Sequence, residues 1–449
     1  MIAYYFPPVA ASGSVRPGAF STYLPELGWA PTVVTVDGAA VDPPLSEDQS
    51  LCDGLPSDLH VVRVGHMNPN QTLLRARDWV YALCGRQQSV VNQPGGGGGL
   101  APVRRTERSV IRRVFSQLLD RVLIFPDPQK FWRAPALRAC EQIIKERCPD
   151  VILATGGPWT SLLIGKTLSD RHGIPFVADF RDPWATNPYL TYSSPRLQRR
   201  AELMEAEVCA RAAAVIANTE ELAESFRAKY PHRADRVVAI TNGFDASLLR
   251  QTSASEPVTS RLEVTHFGTV YVKRSPLPLF QALTKIASEQ PDLSRQLGVN
   301  FTGEWEIQDP LCNQLARKLE QRGILNREAR IDRAECLSRM ASAQVLLVLQ
   351  EGTPMQIPAK LYEYIAMRRP LVILGGIGAT ANLVQEHHLG FCCANESGEI
   401  ESLLRRMLDD PSLLKMPNQS AVMSFKYQTL TNRLAAVFEN VCSGVTREG

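Results

Sequence analysis

The sequence predicts an α/β protein built as two doubly wound parallel units. Three observations carry that prediction. Short apolar runs of strand length alternate with longer amphipathic stretches through most of the chain, the pattern of parallel strands joined by crossover helices. The 449 residues exceed one ordinary core and suit two units of roughly 200 residues each. A strand followed by a small-residue loop opens both halves, at residues 2–17 and again at 262–269.

The elements follow in order. Residues 2–5 read as the end of a buried strand whose first half is missing; either the chain starts late or the strand is short. Strands are predicted at 32–36, 60–64, 151–154, 176–179, 213–217 and 237–240, with amphipathic stretches at 137–147 and 219–229 between them. A polar segment with a proline, 250–257, is the best boundary. Beyond it strands are predicted at 262–267, 299–302, 345–349 and 371–374, and an amphipathic helix at 425–441. The domains expected are therefore 1–248, 258–420 and a C-terminal helical segment 421–449. One region, 66–130, does not alternate cleanly. It holds Gly95 to Gly99 and then Arg104, Arg105, Arg108, Arg112 and Arg113 interleaved with apolar residues up to position 119. Such a basic amphipathic helix is either a packed helix with a solvated face or a dock for an anionic membrane surface.

Composition narrows the function. With 44% apolar and 21% charged residues the chain is that of a folded globular protein. Its net charge of +3 does not suggest a nucleic-acid binder. The ten cysteines show no CxxC spacing, which fits buried thiols in a reducing compartment better than a metal or disulfide framework. No signal peptide and no apolar run of about 18 residues is present. A cytoplasmic protein is expected, peripheral at the inner membrane face if 104–119 docks there.

In open α/β sheets ligands bind beyond the carboxyl ends of the strands. Gly13 lies in the small-residue loop after the first strand, where a backbone can approach a ligand. Asp179, Phe180, Arg181, Asp182, Pro183 and Trp184 close a later strand. Asp179 or Asp182 would accept a proton or hydrogen bond from a sugar hydroxyl, Arg181 would pair with phosphate, and Trp184 would pack on a sugar ring. The alternative is an internal Asp–Arg pair that stabilises the loop. Gly268 closes the first strand of the second half and is followed by Lys273 and Arg274, a pattern suited to a diphosphate or to an ordinary basic surface. Lys360 and Glu363, three apart, share a helix face. They lie in the first turns after Pro358, where a helix N-terminus attracts phosphate. Lys360 would add charge and Glu363 would accept from ribose hydroxyls; the alternative is a surface ion pair.

The motifs Tyr4-Tyr5-Phe6-Pro7-Pro8, Gly13-Ser14-Val15-Arg16-Pro17, Asp179-Phe180-Arg181-Asp182-Pro183-Trp184, Ala217-Asn218-Thr219, Thr241-Asn242-Gly243-Phe244-Asp245, Phe267-Gly268-Thr269 and Pro358-Ala359-Lys360-Leu361-Tyr362-Glu363-Tyr364 resemble, in order and spacing, those of bacterial family 4 glycosyltransferases. The resemblance spans nearly the whole chain except about 66–130. It implies a GT-B fold, two Rossmann-like doubly wound domains facing across a cleft, with the donor bound by the C-terminal domain and the acceptor by the N-terminal one. It places Glu363 on the donor ribose, Lys360 with Lys273 or Arg274 on the diphosphate, Gly268 beside it, Gly13 where the N-terminal domain meets the donor, and Asn242 and Gly243 at the hinge. It implies retention of configuration and no metal or other cofactor; the chain indeed has no Asp-x-Asp. One departure stands out. Many relatives carry a second glutamate that touches the sugar, and its position here is Met355.

The function implied is transfer of a sugar from a nucleotide diphosphate sugar to a glycan or lipid-linked acceptor hydroxyl, in surface polysaccharide or glycolipid synthesis. A catalytically silent sugar-nucleotide-binding protein and a nucleotide-sugar epimerase are the alternatives.

Overall fold

The computed structural model describes residues 1–41, 43–67, 125–251 and 261–445. The glycine run, the basic stretch 104–119 and most of the boundary 250–257 lie outside the described residues.

The chain divides into two units. The first comprises Met1–Asn218, Leu222–Ile240 and the residues from Thr431 on; the second comprises Thr219–Glu221 and Thr241–Leu430. The chain therefore passes between them after Ile240, ahead of the polar segment that composition singled out, and returns inside the helix Tyr427–Val445. Composition finds exposed linkers, and this crossing is not one. Phe244 N donates to Phe425 O at 3.0 Å and Tyr427 N donates to Phe244 O at 3.0 Å, so the outgoing and returning segments pair with each other.

In the first unit, strands β1 (Thr32–Val36) and β2 (His60–Val64) pair in parallel. β3 (Ile152–Gly156), β4 (Phe176–Phe180), β5 (Ala214–Ala217) and β6 (Val237–Ala239) form a parallel ladder in chain order. Ile2 bridges Val34 on one side and Ala154 on the other, so the N-terminal segment joins the two ladders. That predicted first strand is reduced to a bridge on each side. The buried strands read as continuous apolar runs because helices cover both faces of a parallel sheet.

The second unit contains β7 (Leu262–Phe267), β8 (Leu297–Thr302), β9 (Leu325–Glu328), β10 (Val345–Leu349), β11 (Leu371–Leu374) and β12 (Gly390–Cys393). They form one parallel sheet in the order β12-β11-β10-β7-β8-β9. Side chains alternate between faces along a strand. Val345, Leu347 and Leu349 thus enter one core, with Phe280, Phe301 and Met407, while Leu346 and Val348 enter the other, with Tyr362, Tyr364 and Ile365. The chain builds β7, β8 and β9 outward, then returns to lay β10 against the other side of β7. That reversal is a topological switch point, where the connections after β7 and β10 diverge and leave a crevice.

Candidate functional site

The switch point of the second unit brings together most of the predicted donor residues. β10 runs through the loop 350–358 into the helix Ala359–Ala366. Pro358 is the N-cap of that helix, and no side chain caps its first turn. The leading N–H groups of such a helix carry partial positive charge and lack intrahelical partners. Lys360 Nζ lies 3.8 Å from Glu363 Oε2, and Arg333 Nη1 lies 3.2 Å from Glu363 Oε1. Glu363 is thus flanked by two cations, of which Arg333 was not anticipated from the sequence. The ion pair that sequence reasoning held as the alternative does form, but the lysine side chain is 39% exposed, and such pairs hold little energy.

The same helix fastens the end of β7. The buried Tyr364 hydroxyl accepts from Phe267 N at 2.7 Å and donates to Phe267 O at 3.2 Å. Burial pushes the phenol upward, so it stays protonated. Gly268 follows with φ of +135°, and its N–H donates to Thr302 O at 2.9 Å. That left-handed geometry favours glycine. The chain then enters the short 3-10 turn Val272–Arg274. The Lys273 side chain lies outside the described residues. The Arg274 guanidinium sits 5.1 Å from the centre of the Tyr271 ring, and its Nε has no hydrogen-bond partner among the described residues. Met355 is half-buried in the 350–358 loop, and its carbonyl accepts from the Thr219 hydroxyl at 2.9 Å.

The loops of the first unit are arranged differently. Asp179 does not offer a free carboxylate: Arg16 Nε donates to its Oδ2 at 3.1 Å and Arg16 Nη2 to its Oδ1 at 2.9 Å, both side chains being almost fully buried. Arg16 Nη2 also donates to Ile240 O at 2.8 Å, at the last residue before the crossing. The internal pair held open from the sequence thus exists, but with Arg16 rather than Arg181. The Arg181 guanidinium donates to Gly156 O at 2.8 Å and to Gly157 O. It occupies the space beside Gly13, where a methyl group would fall 2.3 Å from Nη1. Gly13 therefore makes room for an arginine, and Arg181 donates from Nε and Nη2 to backbone carbonyls. Asp182 is half-buried beside it.

Trp184 is fully buried and stacks on Trp159, with ring centres 5.3 Å apart and planes 7° from parallel. It is packed away rather than presented to a sugar. Behind this loop the buried Glu205 accepts from Ala185 N at 2.9 Å, from the Tyr230 hydroxyl at 2.9 Å and from Lys229 Nζ at 2.5 Å. Asp127, also buried, accepts from Thr160 N at 2.7 Å and from the Thr160 hydroxyl at 2.8 Å, at the start of the helix Thr160–His172. Burial raises its carboxyl to about 6. Asn242 and Gly243 follow the crossing directly. A methyl group on Gly243 would fall 2.3 Å from Phe425 O, so the pairing of the crossing segments requires glycine there.

Cavity size does not pick out these loops. A cavity of about 750 Å³ opens at the opposite, amino-terminal ends of the first unit's strands, lined by Met1, Trp29, Thr32, Leu153 and Phe438. A smaller one of about 180 Å³ lies between Gln350–Pro354 and Gly375–Ala381 in the second unit. Among the described residues no group of three His, Cys, Asp or Glu side chains is placed to hold a metal ion. No helix among them is long and apolar enough to cross a membrane.

Two doubly wound parallel units of this kind define a GT-B architecture, and solved structures similar to this chain carry it. HepE of Anabaena, crystallised with UDP and glucose, is 16% identical, with a TM-score of 0.57 over 98% of this chain and 100% of that one. A glycosyltransferase from Rickettsia africae is 12% identical, with a TM-score of 0.57 over 98% of each chain. Sucrose-phosphate synthase from Thermosynechococcus elongatus is 12% identical, with a TM-score of 0.55 over 95% of this chain and 92% of that one. No curated protein sequence matches. The model of the glycosyl transferase 4-like domain matches residues 15–243. The chain belongs to that family and is a glycosyltransferase.

Proposed function

We propose that this protein transfers a glycosyl unit from a nucleotide diphosphate sugar to an acceptor hydroxyl, with the donor held at the switch point of the second unit. The observation that carries this reading is the uncapped helix Ala359–Ala366, with Lys360 and Glu363 in its first turns, beside the glycine turn that ends β7. Bond cleavage at the sugar leaves growing negative charge on the diphosphate. The helix N-terminus and Lys360, with Lys273 or Arg274, stabilise that charge. Preorganised electrostatics of this kind is usually the largest catalytic term. Glu363 accepts from the ribose hydroxyls.

The reaction retains configuration: the departing phosphate takes the acceptor proton, so no protein base and no metal is required. This fits the engagement of Asp179 by Arg16, which makes Asp179 a positioning residue. The acceptor is a glycan or lipid-linked sugar of surface polysaccharide or glycolipid synthesis, met at the inner membrane face through 104–119. Binding to vesicles that is unaffected by anionic lipid would sink the membrane part.

For the donor site the test is the Lys360→Ala, Glu363→Ala double variant. Its donor turnover, measured with a panel of nucleotide sugars, should fall about a hundredfold, and wild-type turnover would end the proposal. Met355, in place of the glutamate that touches the sugar in many relatives, favours a second reading as a sugar-nucleotide-binding protein without turnover. Donor that binds but is never consumed would establish it.

A further inference from the structure

His266 is the penultimate residue of β7 and is 5% exposed. Its Nδ1 lies 2.9 Å from Leu347 O on the neighbouring strand. A carbonyl only accepts, so Nδ1 carries the proton in that bond. In the neutral ring Nε2 is then a bare lone pair. Among the described residues Nε2 has no hydrogen-bond partner. It faces the open side of Gly268: a methyl group placed there would stand 3.8 Å from it. The other groups around the ring are the Phe301 ring, 5.5 Å between centres, and the cations Arg274 and Lys360. Burial foremost, aided by those cations and opposed by the Leu347 bond, lowers the imidazole to about 4, so it is neutral near pH 7. Buried polar atoms of folded proteins are nearly always paired, and an unpaired one calls for an explanation.

We propose that His266 is a donor-site residue whose Nε2 accepts a hydrogen bond from a hydroxyl of the bound nucleotide sugar. This rests on the reading that the switch point of the second unit holds the donor. A phosphate oxygen would be repelled by the lone pair, and Arg274 and Lys360 serve the phosphates. A hydroxyl supplies the missing proton. It belongs either to the ribose or to the transferred sugar, at whose end Met355 supplies no carboxylate.

The test is calorimetric titration of wild type, His266→Asn and His266→Gln. The probes are UDP-glucose, ADP-glucose and GDP-mannose, then the free nucleoside diphosphate of whichever binds best. The asparagine amide can still donate to Leu347 O but does not reach the Nε2 position, whereas the glutamine amide reaches it. His266→Asn should bind the nucleotide sugar about tenfold more weakly, with its cooperative unfolding retained, and His266→Gln should recover part of the loss. An equal loss for the free diphosphate assigns the hydroxyl to the ribose; a loss confined to the nucleotide sugar assigns it to the sugar. Equal affinity of wild type and His266→Asn overturns the inference and leaves the donor site standing. Failure of both variants to fold assigns Nε2 a purely structural role and overturns it as well. If wild type binds none of the probes, the donor-site reading fails and the inference with it.

Discussion

The helix after β3 in the first unit and the helix after β10 in the second begin in comparable places, just beyond the carboxyl end of a strand beside the switch point. They are finished in opposite ways. The buried carboxylate of Asp127 takes the Thr160 amide and hydroxyl at the first. No side chain caps the second. Around the first helix Arg16 engages Asp179, backbone carbonyls accept from Arg181, Glu205 takes three donors, and Trp184 stacks on Trp159. Around the second, Arg274 Nε and His266 Nε2 lack partners among the described residues. A carboxylate at a helix N-terminus repels an incoming phosphate, while an empty one attracts it. One architecture thus yields a capped helix and an uncapped one, and the uncapped helix is the better place to look for an anionic ligand.

The largest way to break this comparison is Asp179→Ala. Stranding the Arg16 guanidinium in the interior should cost about 3–5 kcal/mol in urea unfolding. Unchanged stability with lost turnover would return Asp179 to the chemistry. Next comes a pH effect. His266 has a folded value near 4, below its ordinary 6.5. Its contribution to stability is complete above 6.5 and is lost as pH falls toward 4, because the unfolded chain takes up the proton first. The stability gap between wild type and His266→Asn should shrink by about 2 kcal/mol between pH 7 and pH 5; a constant gap would contradict the buried neutral ring.

A third test makes the two helices alike. Pro358→Asp supplies the missing cap, and should stabilise the protein by about 1 kcal/mol in thermal unfolding while weakening nucleotide binding. Tighter binding would reverse the comparison. The smallest effect belongs to Tyr364→Phe, which removes the hydroxyl on Phe267 and should cost about 1 kcal/mol, checked by denaturant midpoint.

Much of the fold was legible because buried parallel strands announce themselves: 345–349 is an unbroken apolar run. The edge strands β9 and β12 were missed. Leu325–Glu328 is mostly polar and Gly390–Cys393 is short and half-buried, since an edge strand has less to bury. For the site, sequence reasoning found loops at strand ends but not how their side chains are spent. Nothing local marks the partner of Asp179, which lies 163 positions away in Arg16. Trp184 read as a sugar platform because its stacking partner, Trp159, belongs to a different loop. His266 was given no role, since a histidine on an apolar strand carries no sign of which ring nitrogen is left over.

The bond from Phe267 to Tyr364 has a consequence in time. The pairing of β7 with β10 ends at Thr265 and Leu346, so the Phe267 amide is shielded by a side chain 97 positions away rather than by the neighbouring strand. Its hydrogen exchange should therefore follow the lifting of the helix Ala359–Ala366, while Val264 and the other inner amides of β7 wait for the sheet to open. That single amide is a clock for the docking of the helix that bears Lys360 and Glu363, and a bound donor would slow it.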